Sequence, residues 1–138
     1  MIRVLYALML LMVVPVAMAN KVEIALKHNL DGYLSGYCLD MVGSGVNANP
    51  ERGLQTHTCY SYRGELGVDQ VFDASQFSDN SLYLAKFDVC AELDAISVGA
   101  GVNLERCDGN DLQQIEFTQH GLLRPVFDQS LCLTAGLN

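Results

Sequence analysis

The fold is decided by a segment that begins Tyr37-Cys38-Leu39-Asp40 and ends Gln70-Val71-Phe72. It recurs as a segment that begins Val89-Cys90-Ala91-Glu92 and ends Gln113-Gln114-Ile115. Each copy has a glycine six residues before its second cysteine, followed by an aliphatic residue and an amide residue. A third copy begins at Leu131-Cys132-Leu133-Thr134. Self-similarity of this kind indicates a protein built from repeated units.

The local pattern of the chain is typical of β-strands. Short runs rich in β-branched and aromatic residues lie at 22–26, 82–84 and 115–117, with Gly, Asn and Pro turn residues between them. After residue 19, no segment keeps a helical spacing of apolar residues over about 11 positions. We therefore predict an all-β protein with repeats at approximately 22–81, 82–123 and 124–138, the third of them incomplete.

The N-terminus has the pattern of a secretory signal peptide. Arg3 is followed by an apolar run from Val4 to Val16 and by Ala17-Met18-Ala19, which resembles a cleavage site. The apolar run is shorter than the roughly 20 residues that a membrane-spanning helix needs. We predict that residues 1–19 are a signal peptide, that the protein is secreted, and that residues 20–138 form its single domain.

Composition limits the partners of the chain. It has 138 residues, of which 50% are hydrophobic, and its 16 acidic and 8 basic residues give a formal charge of −8. Phosphate binding needs clustered Lys and Arg, so this balance argues against nucleic acid as a partner. It argues equally against an anionic membrane surface.

The five cysteines follow the repeats. Aligned within each repeat, they predict the disulfides Cys38–Cys59 and Cys90–Cys107, one of three possible connectivities. Cys132 stands at the first-cysteine position of the incomplete third repeat, so we predict that it is unpaired. Disulfides form and persist in the oxidising compartments that a secreted chain enters.

These motifs resemble the ricin B-type lectin family, whose fold is a β-trefoil of three repeats. The family opens its repeats with Cys-Leu-Asp, as in Cys38-Leu39-Asp40, and closes them with Gln-x-Trp. The closing motif is present as Gln70-Val71-Phe72 and Gln113-Gln114-Ile115, with Phe or Ile in place of Trp. The resemblance covers about 22–138 and implies a β-trefoil that binds carbohydrate. The closing motif also has a purely structural interpretation, in which it holds the core together.

The resemblance implies one sugar site, in the first repeat. The family's site positions correspond here to Asp40, Gln55, His57, Asp69 and Gln70. A carboxylate accepts hydrogen bonds from sugar hydroxyls, amides add donors and acceptors, and a ring stacks on the apolar sugar face. The family has Asn where this chain has Asp69, which removes a donor. That change leaves open an acidic variant of the site or a bound cation.

The other repeats lack a complete set of these groups. The second repeat has Glu92, Asn103, Glu105 and Leu112 at the corresponding positions, and Glu105 offers no platform for a sugar ring. The third has Thr134 at the Asp position. We expect both copies to be without a sugar site.

The sequence therefore predicts a secreted carbohydrate-binding module that is not an enzyme. By family expectation its partners are glycans or glycoproteins with galactose-type sugars, and a larger toxin or enzyme is a possible further partner. A two-carboxylate glycosidase is the main catalytic alternative, but trefoils of this family generally accompany catalytic domains and do not contain them. The histidines show no metal spacing and no nucleotide motif is present, so we expect no metal and no cofactor. The alternative function is a protein-binding or structural trefoil, such as a toxin-delivery subunit or an inhibitor, with a decayed sugar site.

Overall fold

The structure, a computed structural model, describes residues 20–28, 34–60 and 64–136 and shows an all-β protein. The predicted signal peptide, 1–19, lies outside these residues. The described strands are β1 (Lys21–Val22), β2 (Tyr37–Met41), β3 (Leu54–Thr58), β4 (Phe72–Asp73), β5 (Tyr83–Leu84), β6 (Val89–Leu93), β7 (Val102–Glu105), β8 (Ile115–Phe117) and β9 (Leu123–Pro125). Between them lie 3₁₀ helices at Gly45–Asn47, Pro50–Arg52, Gly64–Gln70, Ala74–Asp79 and Asp111–Gln113.

The strands pair into four small antiparallel sheets. Their orders are β1-β4, β2-β3, β5-β6-β7 and β8-β9. In the described part of the chain these sheets stay separate and do not close into one barrel. The predicted strand at 115–117 coincides with β8. The predicted strand at 22–26 is shorter, since β1 ends at Val22 and only an isolated bridge from Ala25 to Cys38 follows it.

The two hairpins that carry the cysteines have the same register. Cys38 pairs with His57 between β2 and β3, and Cys90 pairs with Glu105 between β6 and β7. A disulfide ties each hairpin beside this pair, Cys38–Cys59 in the first repeat and Cys90–Cys107 in the second. These are the pairs that the repeat alignment predicts. Cys132 is a free, exposed cysteine.

One backbone hydrogen bond recurs in all three segments. The residue after each first cysteine donates its N–H to a carbonyl of the preceding strand region, with distances of 2.9, 3.0 and 2.8 Å. The donor and acceptor pairs are Leu39 and Ile24, Ala91 and Leu82, and Leu133 and Leu123. The segment around Cys132 therefore shares this one hydrogen bond with the segments around Cys38 and Cys90.

The core contains the last residue of each closing motif. Phe72 and Ile115 are both completely buried, so each fills the place that the pattern reserves for a large apolar side chain. Burying such a side chain contributes about 1.5–3 kcal/mol. The buried cluster around them consists of Ile24, Met41, Ala48, Leu82, Leu84, Ala91, Leu93 and Leu104.

A tight turn after β2 positions one part of the site. Gly43 has a φ of 141°, and a Cβ atom there would lie 2.5 Å from Cα of Ala48. Only glycine fits this close approach without a shift of the backbone. The turn leads into the 3₁₀ helix Gly45–Asn47, whose first N–H points at Asp69.

Candidate functional site

The first repeat gathers its polar residues on the hairpin of β2 and β3. Asp40 lies directly opposite Gln55 in the strand register, and His57 lies opposite Cys38. Alternate residues of a strand share a face, so this register brings Asp40, Gln55 and His57 to one side of the hairpin. The Nδ1 atom of His57 is 3.7 Å from Oδ2 of Asp40.

Gln70 fixes this hairpin to the 3₁₀ helix that ends at the same residue. Its Nε2 donates to Oδ2 of Asp40 at 3.0 Å and to the carbonyl oxygen of Thr58 at 2.9 Å. Its Oε1 accepts a hydrogen bond from the backbone N–H of Tyr60 at 3.0 Å. Gln70 is completely buried, and these bonds satisfy its amide in full.

Asp40 and Asp69 each keep one carboxylate oxygen without a partner. Oδ2 of Asp69 accepts from the backbone N–H of Gly45 at 2.8 Å, and Oδ2 of Asp40 accepts from Gln70. The remaining oxygens, Oδ1 of both residues, are the only buried side-chain polar atoms in the described residues without a hydrogen bond. Because a buried polar group is costly when it is unpaired, these two oxygens are the strongest candidates in the site for accepting a further hydrogen bond.

His57 and Tyr60 form the outer edge of the site. Nδ1 of His57 lies 2.9 Å from the Tyr60 hydroxyl, and the two ring centroids are 5.4 Å apart. The His57 side chain is 48% exposed, whereas Asp40 is completely buried. An exposed ring, that of His57, therefore lies beside the buried carboxylate.

The site is electrostatically unfavourable for a negative charge. Burial raises the pKa of Asp40 to about 6, and the charge of Asp69 raises it further. The hydrogen bond from Gln70 and the proximity of His57 lower that pKa by smaller amounts. The pKa of the Tyr60 hydroxyl is raised by burial and then by the charges of Asp40 and Asp69.

The second repeat rebuilds the glutamine network. Nε2 of Gln113 donates to Oε2 of Glu92 at 2.8 Å and to the carbonyl oxygen of Arg106 at 2.9 Å. Its Oε1 accepts from the backbone N–H groups of Asp108 and Gly109 at 3.0 and 3.1 Å. Gln113 thus does for Glu92 what Gln70 does for Asp40.

The surroundings of this second network differ from those of the first. Glu92 is only partly buried and also accepts from Nδ2 of Asn110 at 2.9 Å. Asn103 is turned to Asp94, and Glu105, at the register position of His57, is exposed and carries no ring. In the third segment, Thr134 is exposed as well. The aromatic edge is therefore a feature of the first repeat among the described segments.

The structure brings the five predicted residues into one neighbourhood but buries three of them. Asp40, His57 and Gln70 are linked through Asp40 Oδ2, Gln55 joins by strand register, and Asp69 acts on Asp40 through its charge. Sequence reasoning missed Tyr60, although its position directly after Cys59, at the disulfide-bonded end of the hairpin, was a usable signal.

Two surface cavities in the described part of the chain lie away from this site. One, of about 220 Å³, is lined by Lys21, Val71, Asp73 and Lys86 among others. The other, of about 290 Å³, lies between the 95–102 region and the 131–134 segment. The described residues contain no group of three or more His, Cys, Asp or Glu side chains suited to a metal ion. They also contain no helix that is long and apolar enough to span a bilayer.

Comparison with known proteins adds no relative. No protein-family model matches the chain, and a search of curated proteins finds no match.

Proposed function

We propose that this protein is a secreted, non-catalytic carbohydrate-binding module with a β-trefoil arrangement of the ricin B lectin type. Support for the arrangement comes from the recurring hairpin register, the recurring disulfide and the backbone hydrogen bond shared by three segments. The disulfides are compatible with an extracellular location.

A single observation carries the binding function: Asp40 is held by Gln70 through one oxygen and has its other oxygen unpaired. A carboxylate oriented in this way is ready to accept hydrogen bonds from neighbouring sugar hydroxyls. His57 and Tyr60 provide aromatic surface at the same edge. A sugar reaches Asp40 when the His57 ring, which is half exposed, turns away from the carboxylate.

A second function is favoured by the complete burial of Asp40, Asp69 and Gln70. A site that stays closed supports a protein-binding or structural trefoil, of the toxin-delivery or inhibitor type, in which the sugar site has decayed. The glutamine networks then serve only to hold the hairpins.

The two functions are separated by a glycan array and NMR titration of the secreted chain with galactose-type sugars. Shallow monosaccharide sites have dissociation constants near 1 mM, about −4.1 kcal/mol. For the lectin, Asp40→Asn abolishes binding, whereas Glu92→Gln, the register-matched change in the second repeat, preserves it. Folding of both variants is checked by circular dichroism. If the wild type binds no glycan, or Asp40→Asn binds as the wild type does, the structural alternative replaces the lectin.

A further inference from the structure

We propose that the first-repeat site selects sugars that carry a protonated amine, such as galactosamine, over the corresponding neutral sugars. This inference rests on the proposed carbohydrate-binding function and names the chemistry of its ligand. It is drawn from the two unpaired oxygens of Asp40 and Asp69 and from the charges that face Asp40 among the described residues.

The buried unpaired atoms of the site are acceptors only. Oδ1 of Asp40 and Oδ1 of Asp69 are buried without partners, and both the nitrogen and the oxygen of the Gln70 amide are already hydrogen-bonded. A ligand that fills this place has to donate hydrogen bonds. Ring oxygens and acetamide carbonyls of a sugar accept them instead, so they gain nothing from these two carboxylates.

Charge then favours an ammonium group over a hydroxyl group. The ionisable groups that face Asp40 are Asp69 from the Gly64–Gln70 helix, His57 from β3 and Tyr60 just after it. His57 is the only one of these that can carry positive charge, and its side chain is half in solvent. A hydroxyl would satisfy the unpaired oxygens but leave two buried negative charges, whereas an ammonium supplies three donors and compensates the charge.

An inorganic cation fits the same charges less well. Calcium takes 6–8 oxygen ligands and magnesium requires near-octahedral coordination. The described residues offer two unpaired carboxylate oxygens here and no cluster of three metal-ligating side chains. An organic amine attached to a sugar ring needs fewer protein ligands and uses the His57–Tyr60 edge for the ring.

The test is an NMR titration at pH 7 of the ¹⁵N-labelled chain with galactosamine, galactose and N-acetylgalactosamine. We expect galactosamine to bind about tenfold more tightly than the other two, since hydrogen bonds to charged groups are roughly twice as strong as neutral ones. Asp69→Asn retains an acceptor for the Gly45 N–H but loses one charge, so the preference should fall to about twofold or less. Asp128→Asn, a carboxylate change at a distant exposed turn, should leave it unchanged. The preference should also shrink between pH 7 and pH 5, as Asp40 becomes protonated.

Each outcome has a distinct meaning. Equal binding of galactosamine and galactose overturns the amine selectivity and leaves the proposed function intact. Binding of none of the three sugars overturns the selectivity together with the proposed function on which it rests. If calcium chloride alone raises the melting temperature of the wild type but not of Asp69→Asn, and no amine preference exists, the carboxylates form an inorganic cation site and the inference fails.

Discussion

Gln70 donates a hydrogen bond to Asp40 at 3.0 Å, and both side chains are completely buried. The same glutamine also binds the backbone on either side of Cys59, through Thr58 and Tyr60. A change in the charge of Asp40 therefore alters its hydrogen bond with Gln70, the residue that also holds the end of the first hairpin. The charge of Asp40 is in this way coupled to the local stability of the hairpin.

The free energy of unfolding should decrease as the pH rises, because of the raised pKa of Asp40. Its pKa in the folded protein is about 6, above the ordinary value of 3.8, so the folded state binds this proton more tightly than the unfolded chain does. The contribution of this group is complete below pH 3.8 and is lost as the pH rises through 6. Between pH 4 and pH 8 the free energy of unfolding of the wild type should drop by about 2 kcal/mol relative to Asp40→Asn.

Urea unfolding of both proteins at several pH values measures this difference. Asp128→Asn serves as a control, since that carboxylate is exposed and should show no such trend relative to the wild type above pH 4. A difference between wild type and Asp40→Asn that does not change with pH would contradict the assignment of the raised pKa to Asp40.

Loss of either motif glutamine should destabilise the protein. Gln113→Ala removes four hydrogen bonds and leaves Glu92 and the Arg106 carbonyl without their shared donor. The expected cost is about 2 kcal/mol, and Gln70→Ala should cost a similar amount. Gln129→Ala, at an exposed position, should change stability by less than about 0.5 kcal/mol. Thermal unfolding provides the comparison, and a neutral Gln113→Ala would show that water replaces the amide at no cost.

The repeat pattern predicts the fold features that depend on spacing, and it predicts less about packing. The cysteine pairs and the burial of Phe72 and Ile115 follow from residues in equivalent places of the two repeats. The 3₁₀ helices leave no apolar periodicity in so few residues, so the sequence did not predict them. Ala74–Asp79, for example, is a 3₁₀ helix in a region with no helical pattern.

The candidate site illustrates the same limit. Sequence motifs place Asp40, Gln55, His57, Asp69 and Gln70 together, and the structure does so too. The burial of Asp40 and the contact between the rings of His57 and Tyr60 depend on side-chain packing. The orientation of Asp69 depends on a hydrogen bond that its Oδ2 accepts from a backbone N–H in a turn 24 residues earlier in the chain. Neither is encoded in the spacing of a motif.

A larger aromatic ring at residue 57 should tighten sugar binding at the edge of the site. If His57 is a stacking platform, His57→Trp should tighten sugar binding severalfold, because aromatic stacking contributes about 0.5–1.5 kcal/mol. His57→Ala should weaken it. Dissociation constants from NMR titration measure both changes, and Glu105→Trp in the second repeat is the matched control with no expected gain. Tighter binding by His57→Ala than by the wild type would show that this ring only obstructs the site.

The cysteines should divide into two classes by their effect on stability. Replacing both members of Cys90–Cys107 with serine should cost about 3 kcal/mol, because the disulfide closes a loop of 17 residues. Cys132→Ser should leave the melting temperature unchanged, since this residue is exposed and free. Thiol titration of the native chain should detect one reactive sulfhydryl in the wild type and none in Cys132→Ser. A wild type with no reactive thiol would contradict the pairing.

The turn after β2 should tolerate only glycine at residue 43. In Gly43→Ala the new methyl group would meet Cα of Ala48 at 2.5 Å, so the backbone must shift. We expect a loss of about 1–3 kcal/mol. Gly99→Ala, at a glycine with a positive φ but open surroundings, separates the cost of the close contact from the cost of φ alone. Equal losses of unfolding free energy in the two variants would show that a small shift relieves the contact with Ala48 at no cost.

Because Gln70 and Gln113 each bind mostly their own hairpin, the first and second repeats each have their own glutamine network. Mutations that change the other polar residues of one hairpin therefore leave the glutamine network of the neighbouring hairpin intact. After a tandem duplication, one repeat can therefore accumulate substitutions while the other keeps its glutamine network and supports the fold. At matched positions, the first hairpin has Asp40 and His57 where the second has Glu92 and Glu105. Separate glutamine networks permit this kind of divergence.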